Sequence, residues 1–170
     1  CKAHKREYRG SGLDALWARA VEHASKVALV LACGEDFPAS TVSGSTAAYA
    51  VKLVEHLTGA ERVAFMEELY RVLIPGGKAL IVCPYYASMR AVQDPTHRWP
   101  PVCEASFLYF NKGWRVQNKL DHYPITCDFD FSYGYAMDPA TATRAQEARD
   151  YAIRHYWNAV TDLQVTLVRR

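Results

Sequence analysis

Four residues in two short stretches have the types and spacing to do chemistry. Asp94 and His97 stand as Asp-Pro-Thr-His, and Glu55 and His56 stand side by side. In Asp-x-x-His the carboxylate can orient the imidazole, and a neutral imidazole can take a proton from a nucleophile. The competing reading is structural: Asp94-Pro95 favours a turn, and His97 hydrogen-bonds the loop to a sheet. Glu55 and His56 follow a short apolar run that reads as a buried parallel strand. Ligands of open α/β sheets bind outside the carboxyl ends of such strands. Alternatively, Glu55 starts a helix cap and His56 packs beneath it. Pro84, Tyr85 and Tyr86 end another apolar run, as pocket walls or as core aromatics. Cys33 and Cys83 lie on or beside predicted buried strands, where cysteine is usually an inert small hydrophobe. His4, His23, His122 and His155 are scattered without ligand spacing, so no metal site is expected.

The elements that must position these residues follow from periodicity. Leu13, Leu16, Trp17, Ala20, Val21 and Ala24 recur at helical spacing behind Ser11, predicting a helix over 12–25. VALVLACG (27–34) reads as a strand buried on both faces of a parallel sheet. Residues 35–47 are turn formers and read as a loop. AYAVKLV (48–54) reads as a second buried strand. Thr58 and Glu61 form a capping box, and the helix behind it shows one face of Val63, Met66, Tyr70 and Leu73. Pro75 ends that helix, Gly76-Gly77 turns, and KALIVC (78–83) is a third buried strand. Strand, helix and strand in this order form a βαβ crossover with parallel strands. The stretch 85–99 reads as a loop and SFLYF (106–110) as a short helix. Phe129, Phe131, Tyr133 and Tyr135 alternate with polar or small residues, as on a half-exposed edge strand. Asp138-Pro139 predicts the start of a long helix running to about Val160, and LQVTLV (163–168) closes the chain as a strand.

Composition bounds the rest. The 170 residues suit one domain with one core, and half of them are hydrophobic. A net charge of +2 gives nucleic acid only weak support as a partner. The one dense basic cluster is Lys2, Lys5, Arg6 and Arg9 around Glu7, which reads as a solvated tail. Five cysteines without a CxxC pair argue against a disulfide framework or structural zinc, and a reducing cytoplasm is the expected compartment. No apolar run is long enough to span a bilayer, so no membrane partner is expected, and no signal-peptide pattern is visible. Residue 1 is Cys rather than Met, so the sequence need not include its natural start.

ELYRVLIPGG (68–77) followed by KALIVCP (78–84) resembles class I S-adenosylmethionine-dependent methyltransferases, where a helix ends at RVLKPGG and feeds the fifth strand. LVEHL (53–57) resembles the hydrophobic-x-Glu-His-hydrophobic stretch that ends the family's fourth strand and faces the cofactor. PYYASMRAVQDPTHRW (84–99) is similar to a loop with a D-P-T-H element in a small phage or bacterial branch, and residues 151–170 resemble the same branch. The resemblance covers 48–170. It implies an α/β fold: a single-domain Rossmann-like methyltransferase sheet, mostly parallel with antiparallel edge strands.

On this reading residues 1–11 are a basic tail and 12–47 a reduced cofactor-side region, within one domain over 1–170. The implied cofactor is S-adenosylmethionine, lying over Ala32, Cys33 and Gly34 and over Glu55, His56 and Leu57. The loop 85–99 would cover an unidentified methyl acceptor, with Tyr85, Tyr86 and Trp99 at the substrate and Asp94 and His97 assisting transfer to oxygen or nitrogen. The N-terminal part departs from the family's pattern. Ala32 replaces the first glycine of the cofactor motif, and about twenty residues stand where the family fits two more strands and two helices. Two alternatives follow. One is a shortened, inactive methyltransferase-like binding or assembly protein, whose exposed sheet edges a partner or a second copy would cover. The other uses S-adenosylmethionine for a different reaction, such as its cleavage.

Overall fold

The computed structural model describes residues 28–33 and 45–170. The expected tail over 1–11, the helix over 12–25 and Gly34 lie outside the described residues. Five strands form one mixed sheet: β1 (Ala28–Cys33), β2 (Ser45–Val51), β3 (Leu73–Pro84), β4 (Phe129–Met137) and β5 (Val160–Arg169), in the order β1-β2-β3-β5-β4. Alternation sets the buried face. Ala48 and Ala50 of β2, Ala79, Ile81 and Cys83 of β3, and Leu163, Val165 and Leu167 of β5 are buried. Tyr49 and Gln164 between them are exposed. Ile81, Leu163 and Leu167 are fully removed from water, worth about 1.5–3 kcal/mol each.

Helix α1 (Gly59–Val72) covers this face. Its capping box is formed: Thr58 Oγ1 accepts from Glu61 N at 3.4 Å, and Glu61 accepts from Thr58 N at 2.8 Å. Phe65, Met66, Leu69 and Val72 are the fully buried positions. Val63 and Tyr70 pack at the margin, so the apolar stripe is rotated from the expected one and keeps Met66 at its centre. The α1 crossover joins β2 and β3, which pair in parallel as expected, with Ala47 opposite Lys78 and Val51 opposite Val82. Residues 74–77 bulge out of that register, and Gly76 takes φ +78°, which a side-chain-bearing residue rarely adopts.

The parallel part is narrower than expected. Among the described residues it is confined to β2–β3. β1 is an antiparallel edge strand, with Ala28 opposite Val51 and Cys33 opposite Ser45. A parallel β1 needs a crossover of a dozen or more residues, usually helical. Residues 34–44 are fewer than that and rich in turn formers. The antiparallel far edge is as expected: β5 pairs antiparallel with both β3 and β4, leaving β4 outermost.

The long helix expected from Asp138 is split. Asp138 caps α4 (Pro139–Ala142), accepting from Thr141 N at 3.1 Å. Thr143 Oγ1 donates back to Ala140 O at 3.2 Å, and the chain restarts as α5 (Gln146–His155). Between β3 and β4 lie α2 (Met89–Val92), a 3-10 helix over Glu104–Phe110 that contains the expected SFLYF turn, and α3 (Lys112–Gln117). Asn111 caps α3 by accepting from Trp114 N at 2.8 Å. No helix among the described residues is long and apolar enough to cross a membrane.

Candidate functional site

β2 and β3 both run out at the same end of the sheet, and the chain turns sharply after each. Past Val51, Lys52 takes φ +59° and turns the backbone off the sheet. Val54–His56 then forms a single 3-10 turn, closed by His56 N to Leu53 O at 3.0 Å and Leu57 N to Val54 O at 3.3 Å. Leu53, Val54 and Leu57 sink into the core. That anchoring leaves Glu55 and His56 nearly covered, at 5% and 9% exposed.

Past Pro84, the loop folds back over this turn. Arg98 N donates to Glu55 O at 2.7 Å. Arg62 on α1 ties three strands of chain together: Nε donates to Val54 O at 3.0 Å, and its two terminal nitrogens donate to Pro100 O at 2.6 Å and Arg98 O at 3.1 Å. Asp94 organises the loop tip. Its Oδ1 accepts from Thr96 N at 2.9 Å and from Thr96 Oγ1 at 2.7 Å.

These contacts set the two imidazoles. Thr96 Oγ1 gives its one proton to Asp94, so at 3.0 Å it accepts from His56 Nδ1–H. His97 Nδ1–H donates to Ala91 O at 3.0 Å. In its neutral form each ring thus carries its lone pair on Nε2. The rings meet edge-on, 4.7 Å apart at 76°. Asp94 Oδ2 lies 3.9 Å from His97 Nε2, at ion-pair rather than hydrogen-bond distance, and its Oδ1 reaches His56 through Thr96.

A pocket of about 320 Å³ opens here, at the small end of ligand sites. Glu55, His56, Asp94 and His97 line it, with Pro84 and Gln93 between them. Lys52 and Arg90 complete the wall. Both reach Asp162 of β5, at 3.3 Å and 2.7 Å, which holds the two cations at the pocket. Both carboxylate oxygens of Glu55 are buried without a hydrogen-bond partner. Burial pushes the Glu55 carboxyl above the usual carboxylate range, and its own amide and the nearby His97 and Lys52 offset only part of that.

The structure thus brings together Glu55, His56, Asp94 and His97. It does not bring the other expected residues to them. Leu57 is core. Tyr85 is 3% exposed and stacks edge-on against Tyr86 and Tyr135, 4.7 and 5.3 Å away, instead of lining the pocket. Tyr86 and Trp99 are exposed, Trp99 at 83%. Ala32 and Cys33 pair with Ala47 and Ser45 at the start of β2, so the antiparallel β1 places them at the opposite end of the sheet from Glu55. Sequence reasoning missed Lys52, Arg90, Gln93, Thr96 and Arg62. Of these, Thr96 carried a signal, as the hydroxyl inside D-P-T-H. No metal site was expected from the scattered His4, His23, His122 and His155, yet one donor atom from each of Glu55, His56 and His97 lies within 4.8 Å of the others.

No family model matches the chain, and no curated protein matches it. Among solved structures it is similar to a SAM dependent methyltransferase from Archaeoglobus fulgidus, at 13% identity and a TM-score of 0.49, over 75% of this chain and 60% of that one. The chain spans less than two thirds of that structure's length.

Proposed function

We propose that the chain is an S-adenosylmethionine-dependent methyltransferase whose site is the pocket at the ends of β2 and β3. One observation supports this above the others. Two of the elements that carry the family resemblance, Glu-His and D-P-T-H, are forty residues apart in sequence, yet they meet across one pocket, with Thr96 on His56 at 3.0 Å. Lys52 and Arg90 offer cations to the cofactor's carboxylate, and Glu55 and His56 form the floor beside its methionine end. The acceptor's nucleophilic atom attacks the sulfonium methyl in line. Its bond to carbon forms as the carbon–sulfur bond breaks, and the electron pair stays on sulfur as a neutral thioether. The acceptor's one proton passes to His97, with the Asp94 carboxylate 3.9 Å away to balance the charge. The rate gain comes mainly from positioning. Calorimetric titration with S-adenosylmethionine or its demethylated product is expected to show one site per chain. No heat at millimolar ligand removes the proposal.

The placement of Ala32 and Cys33 away from the pocket favours a second reading, a methyltransferase-like binding or assembly protein without activity. Size-exclusion chromatography with light scattering separates the two. A monomer that binds the cofactor supports the enzyme, and an obligate oligomer that binds none supports the second reading. Product analysis after incubation with S-adenosylmethionine distinguishes methyl transfer from cofactor cleavage.

A further inference from the structure

We propose that Glu55, His56 and His97 form a binding site for one divalent first-row transition metal ion of the Zn²⁺ kind. The proposal stands on the site's geometry and not on methyl transfer.

The donor set comes first. One ligand atom from each residue lies within 4.8 Å of the other two. Two imidazoles and a carboxylate suit borderline ions, whereas Mg²⁺ and Ca²⁺ prefer oxygen alone. Bonds of about 2.0–2.2 Å put tetrahedral donors about 3.4 Å apart, so an ion would draw the three side chains inward. Three protein ligands leave a position facing the pocket for water or substrate.

Glu55 supplies the second argument. It is 5% exposed, and neither carboxylate oxygen has a hydrogen-bond partner. Buried carboxylates are normally paired or bound to a cation. His56 and His97 are the groups beside it at the pocket floor.

Orientation is the third. Histidines that bind metal through one nitrogen usually donate the other N–H to a carbonyl, hydroxyl or carboxylate, which fixes the tautomer. Both rings do so here, His97 to Ala91 O at 3.0 Å and His56 to Thr96 Oγ1 at 3.0 Å, with Thr96 in turn on Asp94. The backbones carrying the ligands are joined by Arg98 N to Glu55 O at 2.7 Å. With an ion bound, His97 is a ligand, and Asp94 at the pocket wall takes its place as the proton acceptor.

The test uses the whole chain, stripped with a chelator and titrated with Zn²⁺ by calorimetry and with Co²⁺ by visible absorption. One ion per chain is expected, with a Co²⁺ spectrum of nitrogen and oxygen ligation. Glu55→Gln and His97→Gln are each expected to weaken binding at least about tenfold, and Thr96→Val by roughly tenfold through loss of the His56 partner. His122→Ala and His155→Ala, both exposed, are expected to change nothing. No binding at millimolar metal overturns the proposal, as does undiminished binding in Glu55→Gln and His97→Gln. Loss of binding in His122→Ala or His155→Ala also overturns it. If the ligand variants fail to fold by circular dichroism, Thr96→Val decides, and unchanged affinity there counts against the site. Metal binding without cofactor binding keeps this proposal and removes methyl transfer; the reverse result does the opposite.

Discussion

Cys83 shows how a single residue's chemistry is decided by where its strand lies. It is fully buried on β3, and burial, reinforced by the nearby Glu55 carboxylate, pushes its thiol far above the ordinary range. Cys127 is also fully buried, and burial together with Glu67 raises it to about 12. The thiolate is the reactive form. Iodoacetamide at pH 8 is therefore expected to leave both unmodified in the native chain and to modify both in denaturant, read by peptide mass spectrometry. Native labelling of Cys83 at the denatured rate would show that β3 opens. The inert reading of Cys83 was legible in the sequence, because a cysteine inside KALIVC has only one place to go. Glu55, His56, Asp94 and His97 were legible as a set for a related reason: each follows an apolar strand or sits in a strong turn signal. Lys52, Arg62 and Arg90 were not. Their roles depend on carbonyls and a carboxylate that only the tertiary fold brings near.

At the scale of elements, α1 is fastened to the chain before β4 by one side chain. The Glu67 carboxylate accepts from Thr126 N at 2.6 Å, from Cys127 N at 3.0 Å and from the Thr126 hydroxyl. Burial alone would raise the Glu67 carboxyl, but these hydrogen bonds outweigh it and hold it below the usual range. The folded value lies below the unfolded one, so the unfolded chain binds more protons between the two. The contribution is complete above the unfolded value of about 4.3 and is lost as pH falls through the folded one. Glu67→Gln is expected to cost about 1–2 kcal/mol at pH 7, a difference that shrinks toward zero in strong acid. Urea melts of both proteins from pH 7 to pH 3 check this, and a pH-independent difference would mean that the substituted amide fails by shape rather than by charge. The elements read correctly from sequence were those with local causes, namely the Thr58–Glu61 capping box and the alternation of β4, whereas the expected Pro-Gly-Gly turn is a bulge within β3. The direction of β1 was misread because an apolar run carries no sign of its partner's direction. The break between α4 and α5 was missed because Asp138-Pro139 marks a start and says nothing of where the helix stops.

For the molecule as a whole, stability and the site occupy different places. The buried face of the sheet is a continuous apolar cluster from Ala48 through Ile81 and Val165 to Phe129. The end of the sheet beyond β2 and β3 instead gathers two histidines, two acids and two cations around one pocket. Proteins commonly give up stability where they bind or react, and on the proposed metal site Glu55 would mark that position here. A buried carboxylate without a hydrogen-bond partner costs about 1–3 kcal/mol relative to a group that needs none. Glu55→Met keeps the side chain's length and removes both oxygens. In metal-free protein it is expected to raise the melting temperature by roughly 3–10 °C, where most core substitutions lower it. A bound ion narrows the difference. At a hundred times its Kd it adds about 2.7 kcal/mol to the wild type and little to a variant lacking the carboxylate, so the gap closes. Calorimetric scans of both proteins, stripped and metal-loaded, give the four melting temperatures. A stripped Glu55→Met that melts below the wild type would make Glu55 a structural group, and the pocket would then not be where this chain has traded stability for binding.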